Sequence, residues 1–455
     1  MDIERVTHHS EQSCPPVSIR AEPPVSPDAQ RERNRRHSIA TLHNTASELD
    51  RLLPVLLAHT DPESTVKKMR TIEALSCGEE LERQVLGEPG LNETTRRLYA
   101  GTPPLVAYVK PQSGETGFTV DPKSGQILNV RRAFNQATGQ LDIHRAVDAD
   151  INHDPDFQPL ADFVRREIRH DRPRRFQAIA ERYGIDPKDV PLSSTEITTR
   201  LGVDIGKATV REYIASRINE LVRFDVVPLT VLRAEKDQTD ISSVQEGVKA
   251  QDPEHPPKAL DVQVITDVLE QGPNHQGAKS FMRIACLDYL LKSADRHYQN
   301  ILYDPASHAF SAIDNGYSMG LSWNVEIQDE RGETKKESRP IDPYKSIPLE
   351  LINYHPEWQL DEEALAALRH LYESTTNYLA ARERAKTEAE RQALATQGKE
   401  IKYLTSLFRL LHENEKIAAK EALEFMGRLK EVIDNGRPPD LRKKALLAIQ
   451  FPQAA

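Results

Sequence analysis

The feature that most constrains the fold of this chain is a pair of short apolar runs with a turn between them and polar residues on either side. The runs are Ile301–Tyr303 and Phe310–Ile313, and the turn is Asp304–Ser307. Apolar runs of this length joined by Asp, Pro and Ser predict an antiparallel β-hairpin. Because the two ends of a hairpin lie side by side, we expect Asn300 and Asp314 to lie close together.

The residues at these two ends are of the types that phosphoryl transfer needs. Such chemistry uses one carboxylate to orient the attacking hydroxyl, and an amide oxygen and a second carboxylate to hold magnesium on the phosphates. Asp295 and Asn300 are five positions apart and can point into one site, and Asp314 supplies the second carboxylate. The spacing therefore predicts a phosphoryl-transfer site where the two hairpin ends meet.

The tetrapeptide Ile313–Gly316 occurs a second time, as Ile433–Gly436. The later copy follows the helical run Leu423–Val432, so its Asn-Gly pair is interpreted as a helix C-terminal stop. The earlier copy ends a β-like run, which a helix stop does not explain. We therefore expect a functional role for Asp314 and not for Asp434.

Length and composition exclude several classes of protein. At 455 residues the chain is long enough for two or three domains, and 38% hydrophobic with 29% charged residues is typical of a soluble globular protein. No run approaches the roughly 18 apolar residues of a transmembrane helix, and the N-terminus lacks the pattern of a Sec-type signal peptide. The formal net charge of −10 argues against a nucleic-acid-binding protein.

Cysteine spacing and known motifs exclude further kinds of site. Cys14, Cys77 and Cys286 have the spacing of neither a zinc site nor a disulfide framework, which indicates a reducing compartment such as the cytoplasm. The motifs HExxH, GxSxG and GxGxxG do not occur. Residues Gly202–Ala208 are similar to a P-loop, but the glycines are one residue too close and Ala208 cannot bind magnesium.

The N-terminal part divides into a tail and a helical leader. Met1–Ser38 holds five prolines and five serines without an apolar period, which predicts a disordered tail. Ile39–His59 has helical spacing, and Asp61–Glu63 begins a second helix, so we predict a helical leader over residues 39–85. The leucines expected on the buried face of the first helix are Leu42, Leu49, Leu52, Leu53, Leu56 and Leu57.

Strand-like and helical patterns follow the leader. Leu105–Lys110 is a short β-rich run, a helix is predicted over Thr209–Arg223, and a strand over Val226–Arg233. Between them, Leu160–Tyr183 is charged and helical, and six of its arginines lie close together between Arg165 and Arg175. This segment is either a solvated helix face or a surface for an acidic partner or a phosphate.

Helical sequence predominates in the C-terminal part. Gln251–Pro257 is typical of a linker, and we expect the boundary between two lobes there. An amphipathic helix is predicted over Asp361–Ser374, and a largely helical, charge-rich segment over Tyr378–Ile433.

Several of these segments together resemble the catalytic core of the phosphatidylinositol 3/4-kinase superfamily, especially the type II phosphatidylinositol 4-kinases and their bacterial relatives. The resemblance covers about residues 105–320 in pieces, and it is most specific between Asp295 and Gly316. The matching segments are Val109–Pro111 with Gly114-Glu115, Arg211–Tyr213, Val226–Arg233, Ser243–Gln245, Leu287–Leu290, Asp295–Asn300 and Ala312–Gly316.

The resemblance implies roles for the residues around the hairpin. Asp295 would be the catalytic base or the residue that orients the nucleophile, and Asn300 and Asp314 would hold Mg²⁺. His297 matches a histidine that some lipid kinases use as a base, and it alternatively braces the loop.

The resemblance also implies nucleotide-binding residues. Glu212 would pair with a nucleotide-binding lysine, for which Lys110 is the candidate, although 102 residues (212 − 110) separate them. An inserted Arg-rich region explains such a gap, and Lys207 is the alternative lysine. Ser243 and Gln245 lie in the segment that leads to the adenine hinge of the family.

The fold that the resemblance implies is α+β: a bilobal protein-kinase-like fold with a helical N-terminal leader and a helical C-terminal extension. The N-lobe would span residues 86–250, with an Arg-rich helical insertion at about 119–205. The C-lobe core would span 258–360, and the C-terminal helical region 361–455.

The activity implied is that of a kinase that uses ATP and Mg²⁺ and phosphorylates a hydroxyl acceptor. A protein Ser/Thr acceptor is favoured over a phosphoinositide, because a palmitoylation cluster and a basic amphipathic membrane helix are absent from the sequence. The alternatives are a pseudokinase interaction module and an AMP transferase on the same fold. The Ser/Pro-rich N-terminus without a cleavable signal suits a bacterial effector delivered into the host cytoplasm, with a host protein partner.

Overall fold

The structure is a computed structural model of the chain and describes residues 27–57, 62–86, 94–101, 104–135, 140–171, 207–235, 240–248, 257–259, 262–319, 323–328, 334–339, 346–394, 397–412 and 414–441, with isolated positions between 173 and 186. Its helices and antiparallel sheets occupy separate stretches of the chain, so the predicted α+β class is confirmed. Most of the predicted tail and of the predicted linker lies outside the described residues.

The N-terminal half contains two long helices, two sheets and the helices between them. In chain order the elements are α1 (Pro27–Leu57), α2 (Pro62–Cys77), β1 (Glu80–Val85), β2 (Thr95–Tyr99), β3 (Leu105–Pro111), β4 (Thr116–Val120), β5 (Ile127–Asn135), β6 (Gln140–Val147), α3 (Ala149–His153), α4 (Gln158–Arg166), α5 (Ala208–Val222), β7 (Thr230–Ala234) and β8 (Ile241–Glu246).

One face of α1 packs into the main hydrophobic core. Its buried apolar residues recur at helical spacing and are Ile39, Ala46, Leu49, Leu53 and Leu57. Leu52, which we predicted on this face, is 52% exposed, because successive residues of a helix lie about 100° apart and its neighbour Leu53 already faces the core.

The bounds of the leader differ from the prediction at both ends. Helix α1 begins at Pro27, before the predicted start at Ile39, and proline is favoured in the first turn of a helix. Helix α2 ends at Cys77, and β1 occupies residues that we assigned to the leader. The leader is therefore two helices that run directly into a sheet.

The first sheet has five antiparallel strands in the order β1-β2-β3-β8-β7. Fully buried residues lie on β3 (Ala107 and Val109), on β8 (Val244) and on the edge strand β7 (Val231). The predicted strand over Leu105–Lys110 is confirmed as β3, at the middle of this sheet.

A second unit is inserted between β3 and α5. Strands β4, β5 and β6 form an antiparallel sheet, and α3 and α4 follow it. The unit has its own small core, formed by Phe118, Ile127, Ile151, Ala161 and Val164. The predicted Arg-rich helical insertion, at about 119–205, therefore differs from the structure over residues 119–147, where strands β4, β5 and β6 lie. Residues 187–206 lie outside the described residues.

The C-terminal half is mainly helical. Its elements are β9 (Lys258–Ala259), α6 (Val262–Glu270), α7 (Gln276–Leu291), β10 (Ile301–Asp304), β11 (Ala309–Ala312), β12 (Trp323–Gln328), β13 (Thr334–Arg339), α8 (Ile347–Leu351), α9 (Glu362–Arg384), α10 (Glu388–Ala393), α11 (Lys399–Leu411) and α12 (Glu415–Asn435).

Two sequence predictions in this half are confirmed. Strands β10 and β11 pair in antiparallel register from Ile301 with Ala312 to Asp304 with Ala309, which is the predicted hairpin. Helix α12 ends at Gly436 with φ +68°, a left-handed conformation that glycine adopts without a Cβ clash. The second Ile-Asp-Asn-Gly copy is therefore a helix stop.

None of the helices in the described residues is long and apolar enough to span a membrane. Cys286 on α7 is a free thiol, and burial raises its pKa well above the ordinary value. The expectation drawn from cysteine spacing also concerns Cys14, which lies outside the described residues.

A buried cluster of charges joins α12 to the C-terminal end of α7. Glu421 Oε1 lies 3.2 Å from Lys292 Nζ and 3.5 Å from Arg428 Nη2. Burial raises the pKa of Glu421, but Lys292 and Arg428 outweigh it and lower the pKa from 4.5 to about 2. The carboxylate therefore stabilises the folded chain in its ionised form.

The free energy of unfolding is expected to fall as the pH is lowered from about 4.5 toward 2, because in this range the unfolded state binds a proton at Glu421 that the folded state does not yet bind. In Glu421→Gln this part of the pH dependence is expected to be absent. Thermal unfolding between pH 5 and pH 2 measures it, with the exposed Glu415→Gln on the same helix as control. Equal pH slopes for Glu421→Gln and the wild type would contradict the assignment.

Candidate active site

Lys110, near the end of β3, is held by two carboxylates from distant parts of the chain. Its Nζ lies 2.8 Å from Glu212 Oε1 and 3.0 Å from Asp314 Oδ1. Strand alternation places its neighbour Val109 in the core and Lys110 on the opposite face, where its side chain is 21% exposed. This geometry favours Lys110 over Lys207 as the partner of Glu212.

The charges of this cluster stabilise each other. Burial lowers the pKa of Lys110, but Asp314 and Glu212 outweigh it, and the pKa lies above its ordinary value. Burial raises the pKa of Asp314, but Lys110 outweighs it, and the pKa lies below its ordinary value. Asp314 would lose its charge only at acidic pH and Lys110 only at strongly basic pH, so the pair is ionised throughout the neutral range.

Glu212 connects β3 to the end of the hairpin. It lies on α5 and is 3% exposed. While Oε1 contacts Lys110, Oε2 accepts a hydrogen bond of 2.9 Å from the backbone N–H of Asn315. Lys110 and the Asn315 N–H can therefore both contact the Glu212 carboxylate only while α5 keeps this position.

Glu115 fixes the first turn of α5. Its Oε1 accepts hydrogen bonds from the backbone N–H of Thr209 at 3.0 Å and from the Thr209 hydroxyl at 3.2 Å. A carboxylate at this position satisfies an N–H that lacks a partner within the helix, and it interacts favourably with the helix dipole. Glu115 is 5% exposed and ties the segment that follows Lys110 to the helix that carries Glu212.

The loop Asp295–Asn300 runs from α7 to the start of β10. Asn300 Nδ2 donates to the Asp295 carbonyl at 2.7 Å, and the Ile313 N–H donates to the Asn300 carbonyl at 3.0 Å. Because the first bond uses the amide nitrogen, the amide oxygen is the acceptor end of the Asn300 side chain. The loop and the residue before Asp314 are thus hydrogen-bonded directly to each other.

Asp314 has a left-handed backbone with φ +56°. This conformation costs about 1–2 kcal/mol for most L-residues, and Asp and Asn tolerate it best. The surrounding contacts hold the residue in this conformation, with its side chain against Lys110 and 36% exposed. Backbone strain of this kind clusters at functional sites.

Arg296 links both ends of the hairpin to α7. The side chain is 1% exposed, and its Nε lies 3.2 Å from Asp288 Oδ1. Nη1 donates to the carbonyls of Asn300, at 3.2 Å, and of Ile313, and Nη2 donates to Asn315 Oδ1. One guanidinium group therefore fixes the backbone on both sides of Asp314 relative to the loop.

His297 has a structural contact within the loop. Its Nδ1 accepts a hydrogen bond of 3.2 Å from the backbone N–H of Gln299, at the start of the short turn Tyr298–Asn300. We considered two roles for His297, a catalytic base and a structural brace of the loop. This contact supports the structural brace.

Ser243 and Gln245 share a sheet face with Lys110. Ser243 pairs directly with Lys110 between β8 and β3, and Gln245 lies two residues further along β8. Ser243 is 2% exposed, and Gln245 Nε2 donates to Thr230 Oγ1 at 3.1 Å. Their contact with a nucleotide stays a prediction.

The charged groups border a small cavity of about 10 Å³. Its lining consists of Lys110, Pro111, Glu115, Ala208, Thr209, Glu212 and Asp314. The cavity thus lies between the end of β3, the first turn of α5 and the residue that follows β11.

The oxygen donors here fit magnesium carried by a phosphate ligand. Within the part of the chain that the structure describes, no group of three His, Cys, Asp or Glu could hold a metal ion. Magnesium in phosphoryl-transfer sites needs fewer protein ligands, because phosphates and water supply the others. The ionised carboxylate of Asp314 and the amide oxygen of Asn300, at adjacent hairpin ends, are suitable donors.

Sequence reasoning gave no role to Glu115, Arg296 or Asn315. A signal was present for each, since Glu115 belongs to the matched Gly114-Glu115 pair and the other two lie beside predicted site residues. Their most distant partners, however, lie up to 103 positions away along the chain, and spacing does not reveal such contacts.

Comparisons with known proteins give weak similarity to solved structures. No family model matches the chain, and no curated protein matches it. Among the solved structures that match is the crystal structure of a Helicobacter pylori proinflammatory kinase, CtkA. It covers 77% of this chain and 97% of its own length at 10% identity, with a TM-score of 0.24. At this TM-score the similarity carries no argument about the site.

Proposed function

We propose that this chain is a magnesium- and ATP-dependent kinase that transfers the γ-phosphate to a hydroxyl group. The observation that carries the proposal is the contact of Lys110, on a central strand, with both Glu212 and Asp314. Protein kinases combine a strand lysine paired with a helix glutamate, an aspartate and an asparagine for magnesium, and an aspartate for the substrate hydroxyl. Asn300 and Asp295 supply the remaining two groups.

Each side chain has a distinct task in this proposal. Lys110 binds phosphate oxygens of ATP, and Glu212 holds the ammonium group in place. Asn300 and Asp314 would hold Mg²⁺, which when bound neutralises charge on the β- and γ-phosphates. Because Lys110 and Asp314 contact each other directly at 3.0 Å, nucleotide binding replaces this ion pair with contacts to phosphate and metal.

Asp295 orients the acceptor and receives its proton. The acceptor oxygen forms a bond to the γ-phosphorus while the bond from that phosphorus to the β–γ bridging oxygen breaks, and ADP leaves with those electrons. The hydroxyl proton passes to the Asp295 carboxylate. The side-chain amide of Asn300 donates a hydrogen bond of 2.7 Å to the backbone carbonyl of Asp295, which limits the motion of this base.

For the acceptor we favour a protein hydroxyl over an inositol lipid. The sequence offers no cluster of cysteines for lipid attachment. A phosphoinositide is the second candidate because of the family resemblance.

Asp295→Ala is expected to lower phosphate transfer at least roughly 10²-fold, since general-base and orienting residues contribute this much. The assay is transfer from γ-labelled ATP with magnesium to a panel of proteins, phosphoinositides and the enzyme itself. Asp162→Ala, an exposed carboxylate of the insertion, is the control and should behave as the wild type. Unchanged transfer by Asp295→Ala removes this residue from the mechanism.

The same assay separates the alternatives. Magnesium-dependent stabilisation by ATP without any labelled product would indicate a pseudokinase. Product labelled from α-labelled ATP and not from γ-labelled ATP would indicate AMP transfer. The acceptor that becomes labelled distinguishes a protein kinase from a lipid kinase.

A further inference from the structure

Helix α5, which carries Glu212, has almost no free surface. Every residue from Thr209 to Val222 is buried. The helix packs against β7, β8, α9 and α11, and α1 lies against β7 and α11 beside it. The elements that pack around α5 therefore determine the position of Glu212, and the leader helix α1 is one of these elements.

One carboxylate of the leader bonds to α5 at two positions. Asp50 on α1 accepts hydrogen bonds at Oδ1 from the Tyr213 hydroxyl, at 2.8 Å, and from Arg217 Nε, at 2.7 Å. The Arg217 side chain is fully buried, and its Nη2 donates to the Thr230 carbonyl on β7 at 2.9 Å. The guanidinium also lies 4.8 Å from the centre of the Tyr213 ring.

A second contact joins α2 to the far end of the same helix. Lys68 Nζ lies 2.6 Å from Glu220 Oε2 and 2.8 Å from Asp225 Oδ1. The α5 residues bonded to the leader are Tyr213, Arg217 and Glu220, which recur at i, i+4 and i+7 and thus lie on one face. The leader holds α5 along this face over two turns.

This face is rigidly coupled to Glu212. Glu212 directly precedes Tyr213, so any rotation or sliding of α5 that breaks the contact with Asp50 also displaces the Glu212 carboxylate. A helix advances 1.5 Å and turns about 100° per residue, whereas the contact of Glu212 with Lys110 measures 2.8 Å. A small shift of the helix is enough to separate that pair.

We infer that Asp50 is a positioning residue of the active site: through Tyr213 and Arg217 the leader holds α5 where Glu212 can pair with Lys110. The inference rests on the proposed function for its effect on catalysis. The leader is then part of the phosphate-binding machinery, although its residues do not border the cavity beside Lys110.

The test uses the full chain and one isosteric charge change. Asp50→Asn keeps the size of the side chain and removes the charge that Arg217 faces. We expect the Kd for magnesium-ATP to rise and transfer to fall, each about tenfold, because displacements near 1 Å at a site have effects of this order or larger. Tyr213→Phe removes one hydrogen bond without leaving a buried charge, and we expect a smaller loss of about threefold.

Tyr99→Phe is the matched control. Tyr99 on β2 is as fully buried as Tyr213, but within the described residues its hydroxyl has no hydrogen-bond partner. Its removal should change neither binding nor transfer. If Asp50→Asn does not fold, the comparison of the two tyrosine variants still decides the inference.

Hydrogen exchange at Asn315 gives a readout that needs no activity. The Asn315 N–H donates to Glu212 Oε2, so its protection reports the position of Glu212 directly. We expect faster exchange in Asp50→Asn and in Tyr213→Phe, and wild-type exchange in Tyr99→Phe. Lower thermal stability with unchanged Asn315 exchange overturns the inference. A wild type that neither binds nor transfers from ATP overturns the proposed function instead, and the exchange result is then judged separately.

Discussion

Asp314→Asn is expected to lower phosphate transfer about 10³-fold or more, because metal ligation contributes several kcal/mol and each 1.36 kcal/mol is a factor of ten. Asparagine has nearly the same size and also tolerates the left-handed backbone that Asp314 adopts at φ +56°. The substitution therefore removes the charge without adding backbone strain. It should also release Lys110 from one of its two carboxylates.

The chain contains a control for this substitution within its own sequence. Asp434 lies in the second Ile-Asp-Asn-Gly tetrapeptide, where it forms an exposed ion pair with Lys430 near the end of α12. Asp434→Asn makes the same chemical change in the same tetrapeptide and should leave transfer as in the wild type. The two variants are compared by transfer from γ-labelled ATP at saturating magnesium. Equal activity of Asp314→Asn and Asp434→Asn would remove Asp314 from the proposed metal site.

Arg296→Lys is expected to have the largest effect on stability, a loss of roughly 3 kcal/mol or more, because several buried acceptors lose their hydrogen-bond donors and each such loss costs about 1–3 kcal/mol. Lysine retains the charge but lacks the planar fork that reaches Asp288, two backbone carbonyls and Asn315 together. We also expect transfer to fall at least tenfold, since the backbone on both sides of Asp314 loses its support.

The matched control is Arg283→Lys. Arg283 binds both carboxylate oxygens of Asp361 at 2.8 Å, at the start of α9 and away from the active-site cluster. This substitution should lower stability less and leave transfer unchanged. Calorimetry and the transfer assay measure the two effects. Similar losses of activity in both variants would show that Arg296 acts through general stability alone.

Local patterns in the sequence were sufficient to predict the hairpin and its two polar ends. The Ile301–Ile313 segment combines β-rich runs with turn residues, and both signals are contained within thirteen residues. Strand β3 was predicted for the same reason, from a short β-rich run. The helix stop at Gly436 likewise depends on one residue whose backbone freedom is known in advance.

Contacts between distant elements could not be predicted in this way. Asp50 and Arg217 are 167 positions apart, and nothing in the local pattern of α1 indicates which buried cation faces that carboxylate. The pairing of Lys110 with Glu212 was available only from a family resemblance. The sheet of the insertion was missed because the arginine-rich segment after it has a strong helical pattern, although Gln140–Val147 alternates apolar and polar residues.

The packing of α1 against α11 has a consequence for synthesis on the ribosome. Leu407 on α11 is translated 358 residues after Leu49 on α1 (407 − 49), and both side chains are buried in the same core. At a translation rate of 5–20 residues per second, roughly 20–70 s pass between the synthesis of α1 and the synthesis of this partner. During that interval the nascent chain exposes a leucine-rich helix, and we expect chaperones that recognise such helices to bind it before folding is complete.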